Sequence, residues 1–445
     1  VRNEEAVLPR CLESTADIAD EIIIVDTGSH DNTIAVAEQF NARIIQSEWK
    51  NDFSHARNIS IEHASGEWIL WLDADDVIPS GSIAPIRNLK QETADTVFAF
   101  IIQNRKPGGT GSSFMQARMF PNHPKIRFER KIHEQIMLSA LRIGMKMINK
   151  DIVIEHYGYA DPEQVRKKSR RNINALLEEF DREKPDAVMA VEIADAYTII
   201  GEWDNAGGWF ETALAIPGIE TSMPVIASHA HLGKAKALIE NTKYAQAIKH
   251  LGLSLQLCPG RSDSLYSMAV AQEMSGNRGA ALKNLQEIIN TPPRALQVSV
   301  DWSEAKIKAF LRMERLLVNK PHESSENAEN ALKQFPVRPE IHTMNGRVLL
   351  RKGKLMDALH AFEKSLTCAR AGNIDAYIGL CCVYKKAGRQ DAVESTLKSI
   401  GPEFADSPRY RALCRMTGRE NVPPIGISDE KTRNELQWLK TMHGF

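Results

Sequence analysis

The stretch Gly66 to Pro79, GEWILWLDADDVIP, constrains this chain more than any other. Five apolar residues, Trp68 to Leu72, run without alternation and break into Asp73-Ala74-Asp75-Asp76. Such a run reads as a strand buried on both faces. Its carboxylates then stand at the C-terminal end, the edge of an open α/β sheet where ligands bind. Extended geometry sends Asp73 and Asp75 to one side and Asp76 to the other. Two carboxylates about 4 Å apart repel by roughly 4 kcal/mol at an effective dielectric near 20, so they call for a cation, a shared proton or open water. A hard divalent ion is the economical answer. The bland alternative, a solvated acidic turn before a helix, would explain a bare Asp-x-Asp but not the buried run ahead of it.

A second apolar run, Ile22 to Val25, also ends in an acid, Asp26. It follows a helical pattern (Val7, Leu8, Cys11, Leu12) and precedes a helix start at Asp31 to Thr33, an order that predicts a parallel, Rossmann-like sheet. Asp26 and Asp75 would then meet at one sheet edge. Ile44-Ile45 reads as a shorter strand, and Ala56 to Ala64 as a helix closed by Gly66. On that helix Arg57 suits either a phosphate, gripped bidentately, or a surface ion pair. Thr96 to Asn104 and Ser113 to Phe120 read as a hairpin around the turn-rich Lys106 to Gly111. A basic stretch then meets His133-Glu134, and His156 stands in another apolar run, Ile152 to Tyr159. A lone histidine is more often structural than a ligand, but two near such acids become candidate ligands.

VRNEE, EIIIVDTGSHDNT, ARN and GEWILWLDADD, in this order, resemble the family 2 glycosyltransferases, inverting enzymes of the GT-A fold. The resemblance covers roughly the first third of the chain. It implies a nucleotide-sugar donor, with UDP the expected nucleotide, and a manganese or magnesium ion. It places Asp26 in the nucleotide pocket with Glu4 and Arg57 near it, and makes Asp73 and Asp75 the DxD element, with Asp75 holding the metal on the donor diphosphate. Thr27 stands where many relatives carry a second Asp, which bears on contacts to the base. RMF, IRF, IHE and the later EHYGY resemble a subgroup with a His-Glu pair after the DxD. That likeness makes His133 or His156 a further metal ligand and Glu134 the catalytic base. Asp73-Ala74-Asp75-Asp76-Val77 also fits the Asp-x-Asp-x-Val signature of haloacid-dehalogenase-like phosphatases. Those enzymes need a later lysine and another acidic strand end, and after about residue 160 the pattern is helical.

Residues 161–186 read as a charged linker helix with Val165, Ile173, Leu176, Leu177 and Phe180 inward and a basic cluster from Arg166 to Arg171. From Ala187 an internal repeat sets in. Gly201, Ala206, Phe210 and Ala213 follow the tetratricopeptide pattern, as do Gly276, Ala281 and Leu285, and Gly353, Ala358, Phe362 and Ser365. Ala247 and Ala281 stand 34 residues apart, the tetratricopeptide period, and Gly218 to Pro224 accommodates an insertion before them. Trp302 to Phe335 and Tyr377 to Ile400 supply further helix pairs. The expected division is a GT-A domain over 1–160, the linker helix, tetratricopeptide-like repeats over 187–424, and a tail over 425–445 with a short helix from Glu430 to Met442 that docks through Leu436 and Leu439.

Repeats of this kind suit extended ligands, so a polypeptide acceptor is expected, with a saccharide or lipid-linked acceptor as the runner-up. A homodimer through the repeats and a binding scaffold with an inactive transferase half are the other readings. A net charge of −1 and a pI near 7.0 leave no footprint for nucleic acid or an anionic membrane surface. No apolar run approaches the roughly 18 residues of a spanning helix. Six cysteines without metal spacing fit a reduced, cytoplasmic setting. The chain opens at Val1 without Met, and a strand upstream of it is expected.

Overall fold

The computed structural model describes the chain apart from residues 107–108, 132–133, 158–161, 293–300, 370–372, 402–403, 405–406, 418–433, 436, 439–440 and 444–445. Two compact units form, Val1–Ser275 with Thr291–Ser303, and Gly276–Asn290 with Glu304–Phe445.

The first unit begins as α/β structure. In order come α1 (Leu8–Thr15), β1 (Ile23–Asp26), α2 (Thr33–Gln39), β2 (Arg43–Gln46), α3 (Phe53–Glu62), β3 (Trp68–Leu70), β4 (Asp76–Val77), α4 (Ser80–Leu89), β5 (Thr96–Lys106), β6 (Gly109–Pro121), α5 (Met137–Arg142), β7 (Lys146–His156) and α6 (Pro162–Glu179). β1 and β2 pair in parallel across α2. The other strands make a mixed sheet, β3-β6-β5-β7-β4, in which only β5 and β7 run parallel. The parallel pairing expected of the Ile22 to Val25 run is that of β1 with β2, and the expected hairpin is β5–β6, whereas the Trp68 run joins the mixed sheet through an antiparallel neighbour. The β5–β6 hairpin turns the chain straight back on itself, which a parallel pair cannot do.

Alternation along β5 explains why its stretch from Val97 to Ile102 is apolar without a break. Phe98, Phe100 and Ile102 pack with Ile78, Ile86 and Ile154 on one face. Val97 packs with Phe120, Ile126 and Phe128 on the other. Both faces are covered, so neither admits polar residues. The Trp68 to Leu72 run behaves differently: only Trp68–Leu70 is strand, it is half-buried, and it pairs along one side with β6. Gly66 does not close α3, which already ends at Glu62 with His63 as its cap.

Helices alone follow among the described residues. The first unit continues with α7 (Ala187–Ile200), α8 (Trp203–Leu214), α9 (Ile219–Ser222), α10 (Pro224–Glu240), α11 (Tyr244–Leu257) and α12 (Ser262–Met274). The short α9 fills the insertion expected between Gly218 and Pro224. The second unit holds α13 (Arg278–Asn290), most of α14 (Trp302–Leu316), α15 (Pro321–Gln334), α16 (Pro339–Arg351), α17 (Leu355–Cys368), α18 (Ile374–Lys386), α19 (Gln390–Ser399) and α20 (Pro408–Thr417).

The turn glycines Gly201, Gly276, Gly353 and Gly388 all take the left-handed conformation that lets one helix of a pair turn into the next. Close packing fixes other small residues: a Cβ at Gly233 would lie 2.1 Å from the Phe210 ring, and one at Gly379 would lie 2.2 Å from Phe362. α6 is shorter than the expected linker helix, and Leu177 is exposed while Ile173 and Leu176 are buried. In the tail, Leu436 and Leu439 lie outside the described residues; Trp438 packs against the core of the second unit and Met442 is buried. All six cysteines are free thiols. No described helix is long and apolar enough to cross a membrane.

Candidate active site

Strand register assembles the acidic cluster. β4 pairs antiparallel with β7 so that Asp76 stands opposite His156, and β3 pairs with β6 so that Trp71 N–H reaches Arg118 O at 3.1 Å. Beyond Leu70 the chain leaves the strand and turns: Asp76 N–H bonds Asp73 O at 3.0 Å while Asp73 N–H bonds the Asp76 carboxylate at 2.8 Å. The alternation assumed for an extended chain therefore fails at these residues. Asp76 is not directed to the far side of the sheet; it is the buried centre of the cluster.

Asp76 is fully buried. Its Oδ2 accepts from Arg118 Nη1 at 2.8 Å, and its Oδ1 lies 2.9 Å from His156 Nδ1. Arg118, itself only 1% exposed, stacks 3.8 Å over Trp71 and places Nη2 3.5 Å from Asp73. α3 delivers Arg57 from the opposite side. Its Nη2 donates to Asp73 Oδ1 at 2.8 Å and its Nε to Glu134 Oε1 at 2.7 Å, with the guanidinium 4.1 Å from the Trp71 ring centre. One arginine thus joins Asp73 and Glu134.

These charges set the titrations. Burial opposes ionisation of Asp73, yet Arg57 and then Arg118 hold its carboxyl well below the usual carboxylate range. Asp75 has no such partner. Burial, with Asp73 and Asp76 nearby, pushes its carboxyl up against the pull of His156, whose Nδ1 is 3.4 Å away. The Asp76 bond, with Asp75 adding, raises the His156 imidazole in spite of burial. Cys11 gives its Sγ–H to Asp73 O at 3.4 Å; burial, with Asp76 adding, pushes the thiol up to about 12, so it is a neutral donor.

Asp26 ends β1 and is buried. Burial works against its charge, but the Ser29 hydroxyl at 2.5 Å and the Ser29 and Gly28 amides hold it below the usual range. Gly28, at φ +100, makes that turn around the carboxylate possible. The segment from Val1 is strapped to this turn by Glu4 N–H to Thr33 Oγ1 at 2.7 Å and His30 N–H to Asn3 Oδ1 at 2.8 Å. Ala74, inside the second acidic turn, packs with Leu8, Leu12 and Ile24 beneath the first, so the two acidic turns border one region.

Of the residues singled out in the sequence, Arg57, Asp73 and Glu134 form one bonded chain, and Asp75 lies 3.4 Å from His156, which is bonded to Asp76. His133 lies outside the described residues. Arg118 is absent from the sequence expectations, and Asp76 enters them only as pointing away from the site. The signal for Arg118 was a cation inside an apolar strand, which demands a buried carboxylate partner.

The chemistry of the donor set fits a hard divalent cation. Ligand atoms of Asp73, Asp76 and His156 lie within 4.8 Å of one another. Asp76, however, is committed on both oxygens to Arg118, Asp73 N–H and His156. A carboxylate bonded to Nδ1 of a histidine fixes the tautomer that leaves Nε2 as a ligand atom, the usual outer-shell arrangement of metal-binding histidines. Asp75 is not one of the three residues Asp73, Asp76 and His156; its carboxylate lies 3.4 Å from His156 Nδ1.

The sequence pattern of Glycosyl transferase family 2 matches residues 1–153. A TPR repeat-containing protein of Synechococcus elongatus is 33% identical over 221 residues, 48% of this chain and 55% of its own. The SPbeta prophage-derived glycosyltransferase SunS of Bacillus subtilis is 36% identical over 194 residues, 42% of this chain and 44% of its own. The chain spans about half the length of the curated relatives it matches. A solved tetratricopeptide repeat protein from Parabacteroides merdae covers 58% of this chain and 98% of its own at 14% identity, with a TM-score of 0.40. Residues 1–153 are a glycosyl transferase family 2 domain, and tetratricopeptide-like helical repeats follow it in the same chain.

Proposed function

We propose that this chain is an inverting glycosyltransferase that moves a sugar from a nucleotide-diphosphate donor, UDP in the first instance, to a polypeptide side chain. The division proposed with it is a GT-A domain over 1–160, a linker over 161–186, repeats over 187–424 and a tail over 425–445. The observation that carries the reading is the Asp76–His156 bond at 2.9 Å beside Asp75, which presents one carboxylate and one imidazole nitrogen at the sheet edge. A manganese or magnesium ion held there supplies charge neutralisation for the departing diphosphate.

The chain's own residues have separate tasks. Asp26 and Glu4 border the nucleotide pocket. Arg57 bonds Glu134 through Nε and Asp73 through Nη2, and its role is to set these two carboxylates. Glu134 removes the acceptor proton as base. The guanidinium bond holds one oxygen of that carboxylate and so fixes its orientation. The repeats hold the acceptor, raising its effective concentration at the donor site.

Donor hydrolysis across a panel of nucleotide sugars, with manganese, magnesium or EDTA, tests the reading. It predicts turnover of one donor class that EDTA abolishes. Full turnover in EDTA overturns the metal assignment, and inertness toward every donor favours a binding scaffold.

A further inference from the structure

We infer that Arg130 is a positioning residue for Glu134, fastening the loop that carries this carboxylate to the first repeat helix through Asp186 and Glu192. The backbone supplies the first observation. Arg130 sits at φ +77, a left-handed conformation that a long side chain adopts only when its surroundings hold it there. The described residues around it are bonded to one another and to α3. Glu129 and Gln135 exchange both backbone bonds at 3.0–3.1 Å. Arg130 O accepts from Ser54 Oγ at 2.5 Å, Lys131 O accepts from Phe53 N–H at 3.0 Å, and the Asn58 side chain bonds both backbone groups of Phe128. The same helix carries Arg57, which holds Glu134 at 2.7 Å. A shift of the loop therefore moves Glu134 against Arg57 and Asp73.

The side chain supplies the second. The Arg130 guanidinium is 8% exposed, with Nη2 2.5 Å from Asp186 and Nη1 3.7 Å from Glu192. Asp186 is the N-cap of α7, accepting from Met189 N–H at 2.9 Å, and Glu192 lies two turns along that helix. Arg130 Nη1 and Glu192 Oε2 are buried with no hydrogen-bond partner. Burial pushes the Glu192 carboxyl up to about 8 even with the Arg130 guanidinium beside it. A strained loop, a buried cation and a helix cap are more than a surface ion pair, and they make α7 part of the scaffold around Glu134. Deleting the repeats from Ala187 would remove Glu192 and the helix that Asp186 caps, so truncation does not cleanly separate the acceptor platform from the chemistry.

The consequence for turnover rests on the transferase reading; the latch itself does not. The experiment is amide hydrogen exchange on the full chain for wild type, Arg130→Ala and Asp186→Asn, the last keeping the helix cap while removing the charge. Exchange at 128–135 and at the start of α3 is expected to rise about tenfold or more in both variants, with β5 and β6 unchanged. In hydrolysis of UDP-glucose or UDP-N-acetylglucosamine, whichever wild type turns over, both variants should lower kcat about tenfold with KM within about twofold, and Arg130→Lys should fall between. Unchanged loop exchange overturns the proposal, as does a loss that falls on KM alone. Should Arg130→Ala not fold, Asp186→Asn decides. Should wild type hydrolyse neither donor, a loosened loop still upholds the latch and an unchanged one still sinks it.

Discussion

Replacing Arg118 by Met removes the one guanidinium bonded to the buried Asp76 while keeping a side chain of similar length. The Nη1–Oδ2 separation is 2.8 Å and both side chains are almost wholly buried, at 2% and 0% exposure. Unit charges at that separation attract by about 6 kcal/mol at an effective dielectric near 20. Part of this returns because burying arginine is itself unfavourable, which leaves a net loss of about 3–5 kcal/mol for breaking one side of a buried pair. His156 remains on the other oxygen of Asp76 and can take up a proton, so the lower half of that range is expected. At roughly 2–4 °C per kcal/mol for a region of this size, the calorimetric midpoint should fall by about 6–16 °C. Adding Asp76→Asn to Arg118→Met should restore a good part of the loss, because the uncompensated buried charge is then gone. A fall below about 2 °C, or single-variant losses that simply add, would refute the reasoning.

Two other expectations follow from the same cluster. Glu134→Gln should lower turnover about 10²-fold or more while nucleotide affinity stays nearly constant, as steady-state kinetics and nucleotide titration would show; equal losses in both would make Glu134 structural. The raised His156 value makes its contribution to stability complete below the ordinary histidine value of about 6.5 and lost as pH rises through the folded value. In EDTA the melting midpoint should therefore decline across that window in wild type and stay flatter in His156→Gln.

The broad division of the chain was legible because each half has its own period. Runs such as Ile22 to Val25 admit only buried strand, and the spacing of Gly353, Ala358 and Phe362 matches helices whose small residues meet a ring. The cluster was legible in composition but not in arrangement. Alternation applies to extended backbone, and the backbone stops being extended at Trp71, so parity misassigned Asp76. Its partners, Arg118 and His156, lie 42 and 80 residues away and reach it only through strand register. The sequence offers Arg57 only as a phosphate grip or a surface ion pair because its two acceptors come from different segments, one of them 77 residues on.

The central claim is that Asp75 holds the ion that binds the donor diphosphate, and calorimetric titration of UDP into the apo protein with and without manganese tests it most directly. Wild type should bind UDP at least about tenfold more tightly with manganese than without. Asp75→Asn should bind equally weakly in both conditions with its helices intact by circular dichroism. Manganese-dependent UDP binding that survives in Asp75→Asn would contradict the account.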